Sequence, residues 1–527
     1  MSGLQDNVQF DVAIVGFGPS GAVAAALLGQ AGVRTLVVDR SRAVYDRPRA
    51  IALDHEIMRV FQQLGLDEEI SRYCEPFTPS EYYGADGQLI KRLATVAPPY
   101  PLGHTPSMVF TQPEVERVLR AHVAALPSVT VELGQRLAAL RQDADQASLQ
   151  LMDDEGLQRT VHASYVIGCD GASSTVRDAV GITLEDLEFD EPWLVVDVQI
   201  NEHGLAKLPK TSVQYCEPAR PCTYVIGPGM HRRWEISLLP GEDPAYMASE
   251  EGAWSVLRRW ITPEDGALWR QASYRFHALV AREWRNGRVF IAGDAAHQQP
   301  PFLGQGMCQG VRDVVNLVWK LRSTLEGKGG NALLDSYGVE RGAHVRSLTS
   351  RIKEIGRVIC ERDPQRARER DAALIAAAGG EIRTVARQDI IPPLERGLLA
   401  GEGSGVGTLF PQPRLQHAHG AQLMDKLAGC GWRVVTNLPV WSLPPALSTR
   451  VEALGTLVSV APGAVAVDVG HAVVGAAECD GVLAAWFARH QCCAAIVRPD
   501  HYVYGVAATG EALAVLLDEW EAGTATV

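Results

Sequence analysis

The chain contains no apolar run near the roughly 18 residues a membrane-spanning helix needs, and Met1–Phe10 lacks the basic-then-apolar order of a secretory leader. A cytoplasmic protein with no membrane partner is expected. Basic residues are also in the minority: 49 Lys and Arg stand against 62 Asp and Glu, a formal net charge of −13. Nucleic acid, which requires a basic surface, is excluded as a partner. The 10 cysteines form no CxxC pair and no His-rich ligand spacing. Neither a disulfide framework nor a metal site is expected, and adjacent Cys492-Cys493 is poorly placed to bridge. At 527 residues the chain exceeds what one core supports, so two or three domains are expected.

What is present begins with Asp11-Val-Ala-Ile-Val15, a β-branched run followed at once by Gly16-Phe-Gly-Pro-Ser-Gly21 and an alanine-rich helix. In that order, Gly16 permits the tight turn, Gly18 lets backbone approach a pyrophosphate, and Gly21 lets helix pack on strand. A second strand, Arg34–Val38, ends in Asp39, about twenty residues on, where a carboxylate can bond a ribose hydroxyl. Arg49 follows Pro48 downstream and suits phosphate oxygens, although an exposed arginine is more often only solvated. Thr111 and Pro113 start a helix, and Gln112 could face a cofactor. Two more strand ends carry Gly/Asp turns: Gly168-Cys-Asp-Gly171, with Asp170, and Ile291-Ala-Gly-Asp294. The second opens Ala295-Ala-His-Gln-Gln-Pro-Pro-Phe-Leu-Gly-Gln-Gly-Met307, which leads into a helix over Gln309–Arg322.

These three ordered motifs, spread from Gly16 to His297, resemble those of the single-component FAD-dependent aromatic hydroxylases of the para-hydroxybenzoate hydroxylase type. Pro48-Arg-Ala-Ile51, Cys216-Glu-Pro-Ala-Arg-Pro221, Arg232-Arg-Trp-Glu235, Leu239-Pro-Gly-Glu242 and Asp313–Lys320 look most like its 3-(3-hydroxyphenyl)propionate hydroxylase branch. The resemblance implies an α/β fold in three parts. A Rossmann-like FAD-binding domain would span 1–182 and 277–400, an inserted antiparallel β-sheet substrate domain 183–276, and a thioredoxin-like C-terminal domain 408–527. It assigns Gly16, Gly18, Gly21 and Asp39 to the ADP half of FAD, and Ser20, Arg40, Arg49, Gln112 and Asp170 to further cofactor contacts. Asp294 would hold the ribityl chain, and Gly304, Gly306 and Met307 would lie along the isoalloxazine ring. The implied reaction hydroxylates a small phenolic acid with O2 and NADH or NADPH through a C4a-hydroperoxide of FAD. The rival readings are a non-phenolic FAD oxidoreductase or epoxidase of the same fold, and a non-catalytic flavin-binding protein.

Alternating runs at Trp193–Ile200, Ser212–Tyr215, Thr223–Ile226 and Arg233–Leu238 suit an antiparallel sheet. Tyr215 and Tyr224 are its candidates to meet substrate, and the resemblance implies that Tyr215 is also a candidate phenol-proton acceptor. Arg220 can grip a carboxylate or serve structure before Pro221. His297, between the Asp294 turn and Pro301, suits either proton transfer or a structural hydrogen bond, and the Pro301 face would point to substrate. Asp363–Asp389 reads as solvated helix, and Gly401–Gly407 as a flexible break. Without a CxxC the C-terminal part is expected to serve assembly or stability. A homodimer is compatible with these features.

Overall fold

The computed structural model describes residues 9–401, 403–417, 420–439, 442–443, 445–460, 467–469 and 472–526. Met1–Val8 and Glu402, which enter the readings of the amino terminus and the glycine-rich break, lie outside the described residues.

Five parallel strands form the centre of the first sheet, in the order Val289–Ile291, Gln158–Gly168, Phe10–Val15, Thr35–Asp39, Val129–Leu133. Register pairs Val15 with Gly168 and Gly168 with Ile291, so three separate turns emerge side by side at one carboxyl edge. Burial on both faces explains why these strands are continuous β-branched runs: Val12, Ile14, Val37, Ile167 and Phe290 are all fully buried. Helices Pro19–Gln30 and Gly306–Leu325 pack against each other over this sheet.

The second sheet has nine strands and is wider than the segment 183–276. Long antiparallel strands Leu184–Ile200 and Gly266–Ala281 pair along most of their length. The order then runs through His231–Ser237, Cys222–Ile226 and Ser212–Tyr215 to Ser80–Tyr83, Leu89–Ala94 and Thr384–Ala386, three strands from outside that segment. One face carries an apolar cluster including Leu194, Val196, Tyr224, Trp234 and Ile236, covered by helix Glu250–Leu257. The other face turns toward the first sheet, with Trp193, Phe276 and Phe302 stacked edge and face at 5.5–6.2 Å.

The solvated helix expected over Asp363–Asp389 ends at Ala377. Gly379 and Gly380, at φ +72° and +88°, take left-handed conformations open to glycine. The chain then turns back to lay Thr384–Ala386 on the sheet edge and to start a short turn at Arg387. Beyond the glycine-rich break a separate mixed sheet of six strands, including Arg433–Thr436, Thr456–Val460, Ala494–Val497 and Val503–Ala507, packs with its own helices around its own core.

Candidate active site

The carboxyl edge of the first sheet opens into one cavity of about 410 Å³, within the range of small-molecule clefts. Its cofactor end is set by close backbone contacts. Gly16 sits at φ +102°, and a Cβ there would meet the Cys169 carbonyl oxygen at 2.3 Å. A Cβ on Gly21 would meet the Gly16 carbonyl at 2.0 Å. At Gly18, by contrast, a Cβ would meet nothing within 4 Å, and helix Pro19–Gln30 starts there without a side-chain cap. Its first N–H groups therefore face open cleft. Asp39 accepts hydrogen bonds from the N–H groups of Phe17 and Ser41, each at 2.7 Å, and so fixes the glycine turn from below. Arg40 is exposed beside it.

Gln112 does not present a free amide. Its Oε1 accepts from the N–H groups of Arg49 (3.0 Å) and Ala50, while Nε2 donates to Glu116. From the other side Arg233 donates to the carbonyls of Arg49 (2.8 Å) and Pro48. The loop is thus clamped, and the half-exposed Arg49 guanidinium lies in the cleft, 3.7 Å from Glu116. Asp170 folds into its own turn, accepting from Ser174 Oγ and Val176 N–H; its neighbours Cys169 and Gly171 line the cavity instead.

Asp294 projects into the cavity and accepts no hydrogen bond from the described residues, while the surrounding protein raises its pKa. Gly304, at φ +64°, brings the loop so close that a Cβ would lie 2.8 Å from the Ala52 Cβ. The helix beginning at Gly306 has no side-chain cap, because Gln305 is engaged by Arg312. Two uncapped helix starts, a free carboxylate and glycine-wide approaches fit a long dinucleotide such as FAD. The pyrophosphate would meet Gly18–Ser20, the ribityl chain Asp294, and the ring edge the Gly306 and Met307 N–H groups.

His297 is buried beneath the cavity, not in it. Its Nε2 lies 2.7 Å from Asp313 Oδ2, and its ring stacks on Trp284 at 5.6 Å. Asp313 also accepts from Gly293 N–H and from Arg341, each at 2.9 Å. Proton transfer to substrate therefore falls away for His297, which braces the turn that carries Asp294. Pro301 lines the cavity with Phe302 and Leu303.

Sheet alternation corrects the tyrosine assignments. Tyr215 and Tyr224 point to the far face, where Tyr215 packs on Trp260 at 5.6 Å and Tyr224 on Trp234 at 5.2 Å. Their neighbours Gln214, Thr223 and Val225 face the cavity. Arg220 is spent on Glu242, at 2.5 Å, and on the Ser237 carbonyl, away from the cavity. Among the residues that line this end, the sequence assigned no role to Glu235, Arg270, Tyr274, Gln299 or Arg387. Arg387 forms no ion pair among the described residues; it donates to the Leu303 carbonyl (2.8 Å) and lies 4.3 Å from the Phe77 ring centre. Burial lowers its pKa.

A family profile described as FAD binding domain matches residues 9–352, and one described as HcaD C-terminal domain matches 407–521. The relative named "Probable NADH-specific resorcinol 4-hydroxylase" of Rhodococcus jostii (strain RHA1) is 37% identical, covering 98% of this chain and 96% of its own. A 3-(3-hydroxy-phenyl)propionate/3-hydroxycinnamic acid hydroxylase of Mycobacterium sp. (strain JLS) is 33% identical over 95% and 90%. Among solved structures, the flavin-dependent monooxygenase PieE in complex with FAD and substrate superposes with a TM-score of 0.77 at 21% identity, covering 97% of this chain and 99% of that one. Aklavinone-11 hydroxylase, with FAD and aklavinone, superposes at 0.76 with 21% identity over 98% and 100%.

Proposed function

The chain belongs to the FAD-binding-domain family, and from that premise we propose that it is an FAD-dependent monooxygenase that hydroxylates a phenolic ring, with NADH as electron donor. The observation that carries this reading is continuity. The end of the cleft suited to the flavin ring, at Asp294 and Gly304–Met307, opens directly onto an aromatic-walled chamber formed by the Pro301–Leu303 loop and the second sheet. Bound FAD supplies the redox and oxygen chemistry. The chain's own share is to hold the ring edge with backbone N–H groups, to keep water from the chamber with Trp193, Phe276 and Phe302, and to orient the phenol.

Arg387 favours a substrate that also carries an anionic group, because a half-buried guanidinium lining the chamber, with no carboxylate partner among the described residues, gains from a ligand that brings one. A phenolic acid of the hydroxyphenylpropionate kind meets that need, and resorcinol is the smaller alternative. The test is to purify the protein with its flavin and to follow NADH oxidation and hydroxylated product together on both compounds. Product formed in step with NADH is expected. A colourless protein, or NADH oxidation that no phenol stimulates, would overturn the reading.

A further inference from the structure

One buried acid in the chamber has no task in the fold. Glu235 sits in the middle of strand His231–Ser237, directly between Val195 and Thr223 on the neighbouring strands, and its carboxylate lines the cavity. The side chain is only 6% exposed, yet it accepts no hydrogen bond from the described residues. Its nearest cation, Arg233, stands 4.0 Å away and is already committed to Asp197 at 2.7 Å and to the carbonyls of Pro48 and Arg49. A buried carboxylate this poorly satisfied is costly to keep unless a ligand completes it.

The surroundings point to a ligand hydroxyl. Across the strand pair, Thr223 Oγ1 donates to Gln214 Oε1 at 2.6 Å, so the sheet floor beside Glu235 is polar. On the loop side Gln299 lines the same cavity, and both its amide atoms are buried without a partner. The other groups considered for proton handling are out of reach: His297 is held beneath the cavity by Asp313, and Tyr215 and Tyr224 occupy the far face.

We propose that Glu235 is the catalytic proton acceptor for the substrate phenol. The phenolic O–H bond breaks, the proton moves to a Glu235 carboxylate oxygen, and the bonding pair stays on the phenolate oxygen, enriching the ring carbon that receives oxygen. The step moves one negative charge from the carboxylate to the phenol oxygen and leaves the net charge of the chamber unchanged, so it needs no new counter-ion. The charged groups around it are Arg233 on its own strand, Asp197 on the adjacent strand, Arg270 on the strand beyond, and Arg49, Asp294 and Arg387 elsewhere around the cavity. Burial, reinforced by Asp197 and opposed by Arg233, pushes the Glu235 carboxyl up to about 7. That brings it toward the range of a phenol and lets it serve as a base near neutral pH.

This inference rests on the hydroxylase reading, and its test separates the two. Holoenzyme carrying Glu235→Gln is compared with wild type for bound FAD and for product per NADH with resorcinol and 3-(3-hydroxyphenyl)propionate, from about pH 6 to about pH 10. FAD content should be unchanged, and hydroxylation at neutral pH should fall roughly 100-fold or more, mainly in kcat. The deficit should shrink as pH rises toward the phenol's own pKa, where solution supplies the phenolate. Glu235→Asp should keep FAD and recover part of the neutral-pH rate. Wild-type turnover in Glu235→Gln, a deficit equal at every pH, or loss of FAD from both variants would overturn the role. Failure of the wild-type protein to hydroxylate any phenol would instead overturn the hydroxylase reading.

Discussion

Gln112 satisfies two backbone N–H groups of the Arg49 loop with one carbonyl oxygen, and so acts on the cofactor site through the loop's shape. Asp294 is the opposite case, a carboxylate facing the cleft with no donor among the described residues. Asp294→Ala should therefore release FAD while the fold persists, read as flavin lost on gel filtration with an unchanged far-UV spectrum. Retention at wild-type affinity would contradict the assignment. Arg387→Gln should raise KM for 3-(3-hydroxyphenyl)propionate by about 10- to 100-fold, since a hydrogen bond to a charged group is worth about 1.5–3 kcal/mol. Resorcinol, with no carboxylate, should show little change; equal losses on both compounds would assign Arg387 to the phenol oxygen instead. The two tyrosine errors have one cause. Tyr215 and Tyr224 were attractive by chemistry, but on a strand the chemistry that counts is that of every second residue, and Gln214 and Thr223 hold the inward positions.

Among the elements, helix Gly306–Leu325 links the flavin end of the cleft to the rest of the molecule. Near its start Arg312 bridges Asp54, Glu56 and Gln305. Toward its end Lys320 donates to Glu340 at 2.7 Å, and Arg498 donates to the same carboxylate at 2.6 Å. Glu340 also accepts from Asn316 and from the Leu398 N–H, and these partners hold its carboxyl down at about 2 despite burial. The sign follows from the depression. Stability from Glu340 is present above the ordinary glutamate value of 4.5 and is lost as pH falls from there toward about 2. Glu340→Gln leaves Lys320 and Arg498 undercompensated and should cost about 3–5 kcal/mol, measured by urea unfolding at neutral pH. The variant should also lose much of the wild-type decline in stability between about pH 4.5 and about pH 2; an unchanged decline would show that other carboxylates cause it.

At the scale of the whole molecule, the C-terminal unit is docked by buried ion pairs rather than by an apolar face alone. Asp425 accepts from Arg59 of the FAD-binding part at 2.6 Å and from Arg433 of its own unit at 2.6 Å. Tyr502 donates to Glu56 at 3.0 Å, and through Glu56 the unit reaches Arg312 and the helix start at the flavin end. Asp425, Cys430 and His501 bring ligand atoms within 4.8 Å, but the two guanidinium groups on Asp425 already neutralise the charge a cation would use. Asp425→Ala should strand both arginines and cost about 3–5 kcal/mol in thermal or urea unfolding. FAD content at low temperature should stay near wild type, because no cavity residue is touched; loss of flavin would show that docking of the C-terminal unit holds the cleft together.

The sequence by itself determined the three strand-turn motifs, which the structure brings side by side at one edge of the first sheet. The turns at Gly16–Gly21, Cys169–Gly171 and Asp294 were legible because strand and glycine turn follow one another within a few residues, although Asp170 itself is spent inside its turn. Only the tertiary structure decided the substrate end. Alternation along His231–Ser237 defines two faces, yet nothing within the strand says which one meets the cofactor, so Glu235 became visible only when Phe302 and Trp193 packed on its side. Arg387 enters the chamber because two left-handed glycines turn the chain back after Ala377, bringing a residue more than eighty positions beyond Leu303 against its carbonyl. A site assembled from strand faces and returning segments depends on which surfaces bury one another, and that is a property of packing across the chain rather than of any stretch of it.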